Sequence, residues 1–468
     1  MQYKRNQIRR IFLFLTIVIL FSPIPADADL SLIKESIIAY NIVHYKKSLS
    51  DGSYRGEEGI LRISPEVGRS FGFNVLVDKD YVEAKALYNK AEQLLKEVYR
   101  AMTIRKKEKI PGEYVIRIGK IAVDYNNTLR LARESMMKVR SKLAPKTDER
   151  LDERLCSDLL DGLLKESFNK TSNNLRDALG YFYNRCQGLN HGLWPLNAEN
   201  VKFVNHVFNE FVKKAPEKVL NRYDLDRRSK NDGSDPYLRW KHALEGSVSR
   251  YIVFLEPVVK KHKGDRYPVD PLLFVALMRQ ESNFNPRDVS RVGAAGLTQI
   301  MPRTAENLGM KNIFIPPYFN EAGEIMDRER TLRRRAMALI RAITEENAAG
   351  HAGRARKMMQ ESLDCKARRI KLFARYKREL LKEDADDRLD PRKAIEYGFK
   401  YFSSMMKMQK GDISLALASY NAGPHRVKQY GGVPPFTETV SFRNRVLRYY
   451  RNYLKKVKIS GLEGKQVH

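Results

Sequence analysis

Three cysteines stand in 468 residues, and none forms a CxxC pair or sits in a Cys/His cluster. The sequence therefore offers neither a zinc-binding pattern nor a dithiol redox motif, and no metal or cofactor is implied. Cys156 and Cys186 fall within one stretch of helical spacing. An oxidising compartment would allow a disulfide there, while free buried thiols fit the same positions equally well. Long apolar runs are also missing. The N-terminal one, Ile11 to Phe21, has 11 residues, against roughly 20 for a helix that crosses a bilayer. Membrane contact is expected to be peripheral at most.

Acidic residues are the scarce charge: 56 Asp and Glu face 86 Lys and Arg, for a net charge of +30. Such a surface attracts polyanions, whether nucleic acid, anionic lipid or a cell-wall polymer. The N-terminus chooses among them. Lys4, Arg5, Arg9 and Arg10 precede the apolar run, and Ser22-Pro23-Ile24-Pro25 and Ala26-Asp27-Ala28 follow it. This is the pattern of a secretory signal peptide cut after Ala28, with an uncleaved anchor as the alternative. No cysteine lies near the cut, so a lipid-modified N-terminus is not expected. Export to the periplasm makes nucleic acid a poor partner and an extracytoplasmic sugar polymer a good one.

The length predicts two or three domains. After the signal peptide (1–28), residues 29–80 mix short apolar runs with Gly and Ser and read as irregular. From Tyr81 the period becomes helical: Val82, Ala86, Leu87, Ala91, Leu94, Leu95 and Val98 recur at spacings of three and four. Similar patterns over 113–143, 149–168, 173–186 and 197–214 make 81–220 an all-helical domain of unknown role. Its apolar stripes are packing surface. Residues 221–236 are polar and charged, a linker. The last domain spans 237–455, and 456–468 is a basic tail.

In that last domain Asp270-Pro271 signals a helix start, since Asp accepts first-turn amides and Pro suits the first helical position. Leu272 to Met278 is apolar all round, so the helix is expected in the domain centre. Glu281 and Ser282 stand at its end, before Asn283-Phe284-Asn285-Pro286. A carboxylate on a buried, stiff element loses solvation, which raises its pKa toward that of a general acid. A helix-end Glu paired with one of the nearby arginines is the plainer reading, and the helix alone does not separate the two.

The context does. Val292-Gly293-Ala294-Ala295-Gly296-Leu297-Thr298-Gln299-Ile300-Met301-Pro302 follows, and Ala416-Leu417-Ala418-Ser419-Tyr420-Asn421-Ala422-Gly423-Pro424 comes later. With Glu281-Ser282, these two stretches resemble, in order, the motifs of the soluble lytic transglycosylases. The likeness covers roughly 265–310 and 388–455. It implies a mainly α, lysozyme-like catalytic domain after the all-helical N-terminal one. It further implies a peptidoglycan lytic transglycosylase in which Glu281 is the single acid and base. The bond cut would be the β-1,4 link from N-acetylmuramic acid to N-acetylglucosamine, with a 1,6-anhydro product and no water consumed.

The resemblance also assigns substrate contacts to Ser282, Ser290, Gly296, Gln299, Met301, Tyr420, Asn421 and Glu438. Residue chemistry fits these roles. Glycines let backbone approach a polymer, the Gln299 amide offers donor and acceptor, and Met301 gives an adaptable apolar floor. Tyr420 presents a phenol, Asn421 fixes its loop, and Gly423-Pro424 ends the helix. Two departures stand out. Phe442 replaces a tyrosine in the segment after Glu438-Thr439, and 80 residues separate Leu308-Gly309 from Asp390-Pro391. The insertion, about 311–389, holds 19 Lys and Arg against 13 Asp and Glu. Either a helical arm that flanks the groove or binds wall machinery, or a solvated hairpin, fits that pattern. Two other functions use the same residues: a goose-type lysozyme-like hydrolase, and a non-catalytic wall-binding protein.

Overall fold

Aspartate and asparagine decide where the helices begin. Asp78, Asp152, Asn174, Asp270, Asp390 and Asp412 each accept a first-turn backbone amide. Each such cap contributes about 1 kcal/mol and fixes the helix register. The computed structural model describes residues 27–105, 112–171, 174–189, 195–215, 241, 244 and 246–463. The signal peptide, apart from its last two residues, and the 221–236 linker lie outside them.

The first half contains α1 (Asp27–Asp51), α2 (Pro65–Ser70), α3 (Lys79–Thr103), α4 (Glu113–Ser141), α5 (Glu153–Lys170), α6 (Leu175–Cys186) and α7 (Val201–Lys214). The second contains α8 (Ile252–His262), α9 (Pro271–Ser282), α10 (Pro302–Leu308), α11 (Pro317–Arg341), α12 (Ala348–Glu383), α13 (Pro391–Met408), α14 (Ile413–Ala422), α15 (Pro424–Gln429) and α16 (Thr437–Glu463). Among the described residues only isolated bridges stand in place of strands. The chain is mainly α.

Several expectations are corrected. Residues 29–80 are not irregular throughout, because α1 extends through Asp51 and α2 covers Pro65–Ser70. Leu30, Ile33 and Ile37 are buried in the core and Leu32 and Ile38 pack partly buried against it, while Ile42 and Val43 are exposed. Apolar residues all round the helix blur its period. The basic tail is not separate, since α16 runs on to Glu463. Cys156 and Cys186 are free and buried; burial raises the Cys156 thiol to about 11 and pushes Cys186 up as well.

The two halves repeat one another. In the first, Gly56, Gly59, Ile63, Pro65 and Gly72 are spaced as Gly293, Gly296, Ile300, Pro302 and Gly309 are in the second. Glu58 pairs with Ile63 as Ala295 pairs with Ile300. Arg62 and Gln299 occupy the same place in the turn, both left-handed, at φ 51° and 47°. The Arg150 guanidinium donates to the Gly56 and Ile63 carbonyls at 2.7 and 2.9 Å and grips Asp148. Arg388 donates to the Gly293 and Ile300 carbonyls at 3.0 and 3.2 Å and grips Asp386. The order of elements follows suit: α1, α2, the α3/α4 hairpin, α5 and α6 correspond to α9, α10, the α11/α12 hairpin, α13 and α14. This repeat was not expected from the sequence, where the first 240 residues showed no family signature.

The repeat explains the insertion. Ala336, Ile340, Ala352, Ala355 and Met359 of α11/α12 pack on Val98, Ala101, Met102, Ile118 and Ala122 of α3/α4. The hairpin is therefore neither solvated on all sides nor a free arm; its outer end docks on its counterpart. Its root supports the second glycine-rich turn, with Phe319, Phe373, Tyr376 and Leu380 clustered beneath Val289 and Ala295. A further contact joins the halves behind α14. Asp177 accepts from Arg443 at 2.7 Å and Arg451 at 3.1 Å. Burial opposes its charge, but the two guanidinium groups hold the carboxyl below its ordinary value.

Candidate active site

Asp270 begins α9 with Pro271 at the first helical position, and Tyr450 donates to the Asp270 carboxylate at 2.9 Å. Leu272 to Met278 are all fully buried. Each buried Leu, Phe, Val or Met among them contributes about 1.5–3 kcal/mol relative to exposure, so α9 is anchored along its whole length. The helix stops where Asn283 turns left-handed at φ 48° and its amide closes on the Arg279 carbonyl. Phe284 is left-handed too, at φ 65°. That conformation is costly for an aromatic residue, and it is held by burial of the ring and by the Tyr251 hydroxyl on the Phe284 carbonyl, 3.1 Å.

This stop leaves Glu281 half-buried at the helix end. Burial pushes its carboxyl well above the usual carboxylate range, and the Glu438 and Asp288 carboxylates nearby push it further. Glu281 is thus protonated at pH values where an ordinary Glu has lost its proton. The arginine-paired alternative fails, because no salt bridge to Glu281 occurs among the described residues. Arg279 turns instead to the Tyr449 ring, 4.4 Å away.

Tyr420 faces Glu281. Burial, then the Glu281 charge, raise its phenol well above the usual value, and its hydroxyl donates to the Thr298 carbonyl at 2.7 Å. The Thr298 side chain is itself bonded to the Ala394 carbonyl at 3.1 Å. α14 is thereby tied to the glycine-rich turn. Tyr420→Phe would leave the Thr298 carbonyl buried without that donor, at a cost of about 1–3 kcal/mol. The expected result is an earlier midpoint in denaturant unfolding; an unchanged midpoint would show that the bond does not brace the site.

The turn itself is braced from within. The Ser290 oxygen accepts from the Ala294 and Val292 amides at 2.9 and 3.3 Å, which leaves its hydroxyl proton uncommitted by these bonds. The Gln299 amide nitrogen donates to the Asp288 and Gly296 carbonyls at 2.9 and 3.0 Å. Both of its hydrogens are used, so Gln299 offers a ligand an acceptor only, not the donor and acceptor expected. Met301 is 38% exposed, open to contact. Gly296 sits at φ 79°, and a methyl group there would lie 1.8 Å from the Arg388 carbonyl oxygen.

Not every expected contact residue faces outward. Ser282 is buried and donates to the Leu297 carbonyl at 3.0 Å, which ties α9 to the turn. Asn421 accepts from Thr439 at 2.8 Å, which pins the start of α16 and places the exposed Glu438 near Glu281. Phe442 keeps its place in the core. Sequence reasoning missed Asp288, Tyr401 and Arg388. The Tyr401 ring lies 5.0 Å from that of Tyr420. The one available signal was Asp386-Asp387-Arg388-Leu389-Asp390, because an arginine between carboxylates before a helix start invites a buried clamp. Among the described residues no group of three or more His, Cys, Asp or Glu is placed to hold a metal ion.

The family model of the transglycosylase SLT domain matches residues 259–327 and 367–439. These two segments are similar to a transglycosylase SLT domain. The gap in the match falls within the α11/α12 hairpin, which leaves Glu281, the glycine-rich turn and Tyr420 inside the matched segments. A transglycosylase of Enterobacteria phage PRD1 is 42% identical over 64 residues, 14% of this chain and 24% of that protein. The membrane-bound lytic murein transglycosylase C of Haemophilus ducreyi is 36% identical over 87 residues, 19% of this chain and 23% of that protein. The chain spans about a quarter of the length of these relatives. Among solved structures, the 70 kDa soluble lytic transglycosylase of Escherichia coli aligns over 91% of this chain and 72% of its own, at 14% identity and a TM-score of 0.26. No helix among the described residues is long and apolar enough to cross a membrane.

Proposed function

We propose that this protein is a lytic transglycosylase of the periplasm that cuts peptidoglycan glycan strands at the N-acetylmuramic acid to N-acetylglucosamine β-1,4 bond. The observation that carries this reading is Glu281, a carboxyl kept protonated by burial at the end of a buried helix and faced by Tyr420. Its proton goes to the bridging oxygen as the bond from that oxygen to the anomeric carbon breaks. Positive charge grows on that carbon, and the substrate's own N-acetyl group stabilises it. The Glu281 carboxylate then takes the proton of the muramic C6 hydroxyl, whose oxygen closes on the anomeric carbon. Atoms balance without water.

The Ser290 hydroxyl and the Gln299 amide oxygen are the polar groups offered to the sugar, with Met301 beneath it. Glu438 and Asp288 keep the Glu281 proton in place through their charge. They also support a second reading, in which one of them activates water and the enzyme hydrolyses the bond, since paired carboxylates serve most glycosidases. Digestion of purified sacculi with mass analysis of the soluble fragments separates the two. The expected ends are anhydro sugars, lighter by one water than hydrolysed ends. Hydrolysed ends alone would overturn the transglycosylase reading in favour of the second. The positive net charge suits a wall polymer that carries stem-peptide carboxylates. The outward faces of α11 and α12 are the surface for wall machinery in this reading.

A further inference from the structure

The first half repeats the turn that surrounds Glu281 but not the acid. In the second half Ser282 bonds the Leu297 carbonyl; in the first, Asn41 bonds the Ile60 carbonyl at 2.8 Å. Leu297 and Ile60 occupy the same place in their turns, so Asn41 stands where Ser282 does. Tyr40 therefore stands where Glu281 does. Likewise Phe182 takes the place of Tyr420, counted from the matching α6 and α14 caps Asn174 and Asp412. With neither a carboxyl nor the facing phenol, this copy lacks the groups that cut a glycan.

What it has instead is a cluster suited to holding one. The Tyr40 ring stacks on His44 at 3.7 Å and meets His206 at 5.1 Å, and Phe203 links it to Tyr183. Arg62, in the place of Gln299, is near enough to act electrostatically on Tyr40, His44 and Tyr183. It has no carboxylate partner among the described residues, and its buried Nε finds no hydrogen-bond acceptor. A guanidinium so placed is a receptor for a carboxylate. The turn that presents it is built as firmly as its counterpart, because a methyl group at Gly59 would lie 1.8 Å from the Arg150 carbonyl oxygen. Tyr40, His44 and Arg62 are half-buried and His206 is exposed, so the cluster is within reach of a polymer.

We propose that Arg62, Tyr40, His44, Tyr183 and His206 form a non-catalytic site for the peptidoglycan strand, in which Arg62 takes a carboxylate of the muramic sugar or its stem and the rings take the sugar faces. This rests on the glycan reading of Glu281 for its ligand class. The first half would then hold the polymer while the second cuts it.

The test uses the full chain with Glu281→Gln, so that binding is measured without cleavage. Its retention by purified sacculi is compared with that of the same chain carrying Arg62→Gln, which installs the amide found at the matching turn, or Tyr40→Ala. Loss of one charge-assisted hydrogen bond predicts binding weaker by about tenfold for Arg62→Gln. With Glu281 intact, both variants should still cut a short soluble glycan fragment at the unaltered rate, which reports that the fold has survived. Equal retention of all three proteins by sacculi would overturn the proposal. If instead the wild-type chain binds sacculi through Arg62 but releases nothing, the glycan site stands and the cutting role of Glu281 falls.

Discussion

Glu281→Gln is expected to lower muropeptide release from sacculi by about 10²–10⁴-fold, the range for removal of a general acid or base. The upper end applies, because the same carboxyl gives and then retrieves a proton. Gln keeps the shape and the hydrogen-bonding reach of Glu, so the loss reports the proton and not the packing. The wild-type rate should fall as pH rises through the raised Glu281 pKa, since only the protonated form starts the reaction. A residual activity above about a tenth of wild type would remove Glu281 from the reaction.

The same substitution has an opposite effect on stability. A carboxyl whose folded pKa is raised binds its proton more tightly in the native state than in the unfolded chain. Stability is then lost as pH rises from the ordinary carboxylate range through the raised value. Glu281→Gln carries no such liability. It is expected to melt higher than wild type near neutral pH, with the gap closing below about pH 4, where both states of the wild type are protonated. Thermal melts across pH check this, and a gap that widens in acid would contradict the burial that raises Glu281.

Gly296→Ala is the second large effect. A methyl group there would sit 1.8 Å from the Arg388 carbonyl oxygen, at a φ of 79°, so the turn cannot keep both its shape and its clamp. The left-handed conformation alone costs about 1–2 kcal/mol for a residue with a Cβ. Displacing Arg388 would break a buried guanidinium–carboxylate pair, worth about 3–5 kcal/mol when one partner is lost. The expected result is a strongly lowered melting temperature and loss of glycan cutting together. Gly309→Ala is the contrast: Gly309 is also left-handed, at φ 101°, but its methyl group would meet only the Tyr397 ring at 3.9 Å. If Gly296→Ala melted no lower than Gly309→Ala, the clamp would not be what holds the turn.

Much of the site was legible in the chain. Asp270-Pro271, seven apolar residues and a helix-ending Asn-Phe-Asn-Pro specify a buried helix with Glu281 at its end, because capping and burial are written locally. The glycine-rich turn was legible for the same reason. Roles that depend on which way a side chain turns were not. That the Ser282 hydroxyl turns to the Leu297 carbonyl is one such case. Gln299 looked like a donor, yet two carbonyls of its own turn consume its amide hydrogens. Tyr401 and Arg388 lie outside the motifs, and only folding brings them to the site; Asp288 lies between Glu281 and the turn, yet nothing local shows that its charge acts on Glu281.

By itself, then, the sequence determined the helical class, the position of Glu281 at the end of an apolar helix, and the likeness to a glycan-cutting family, since these rest on periodicity, caps and contiguous motifs. Only the tertiary structure decided that the chain contains its core arrangement twice. The matching residues are few, widely spaced, and joined through Arg150 and Arg388, whose bonds reach back to turns some ninety residues earlier in the chain. The same distance hid the purpose of the insertion. Its apolar faces have meaning only against α3 and α4, which local sequence does not place beside them.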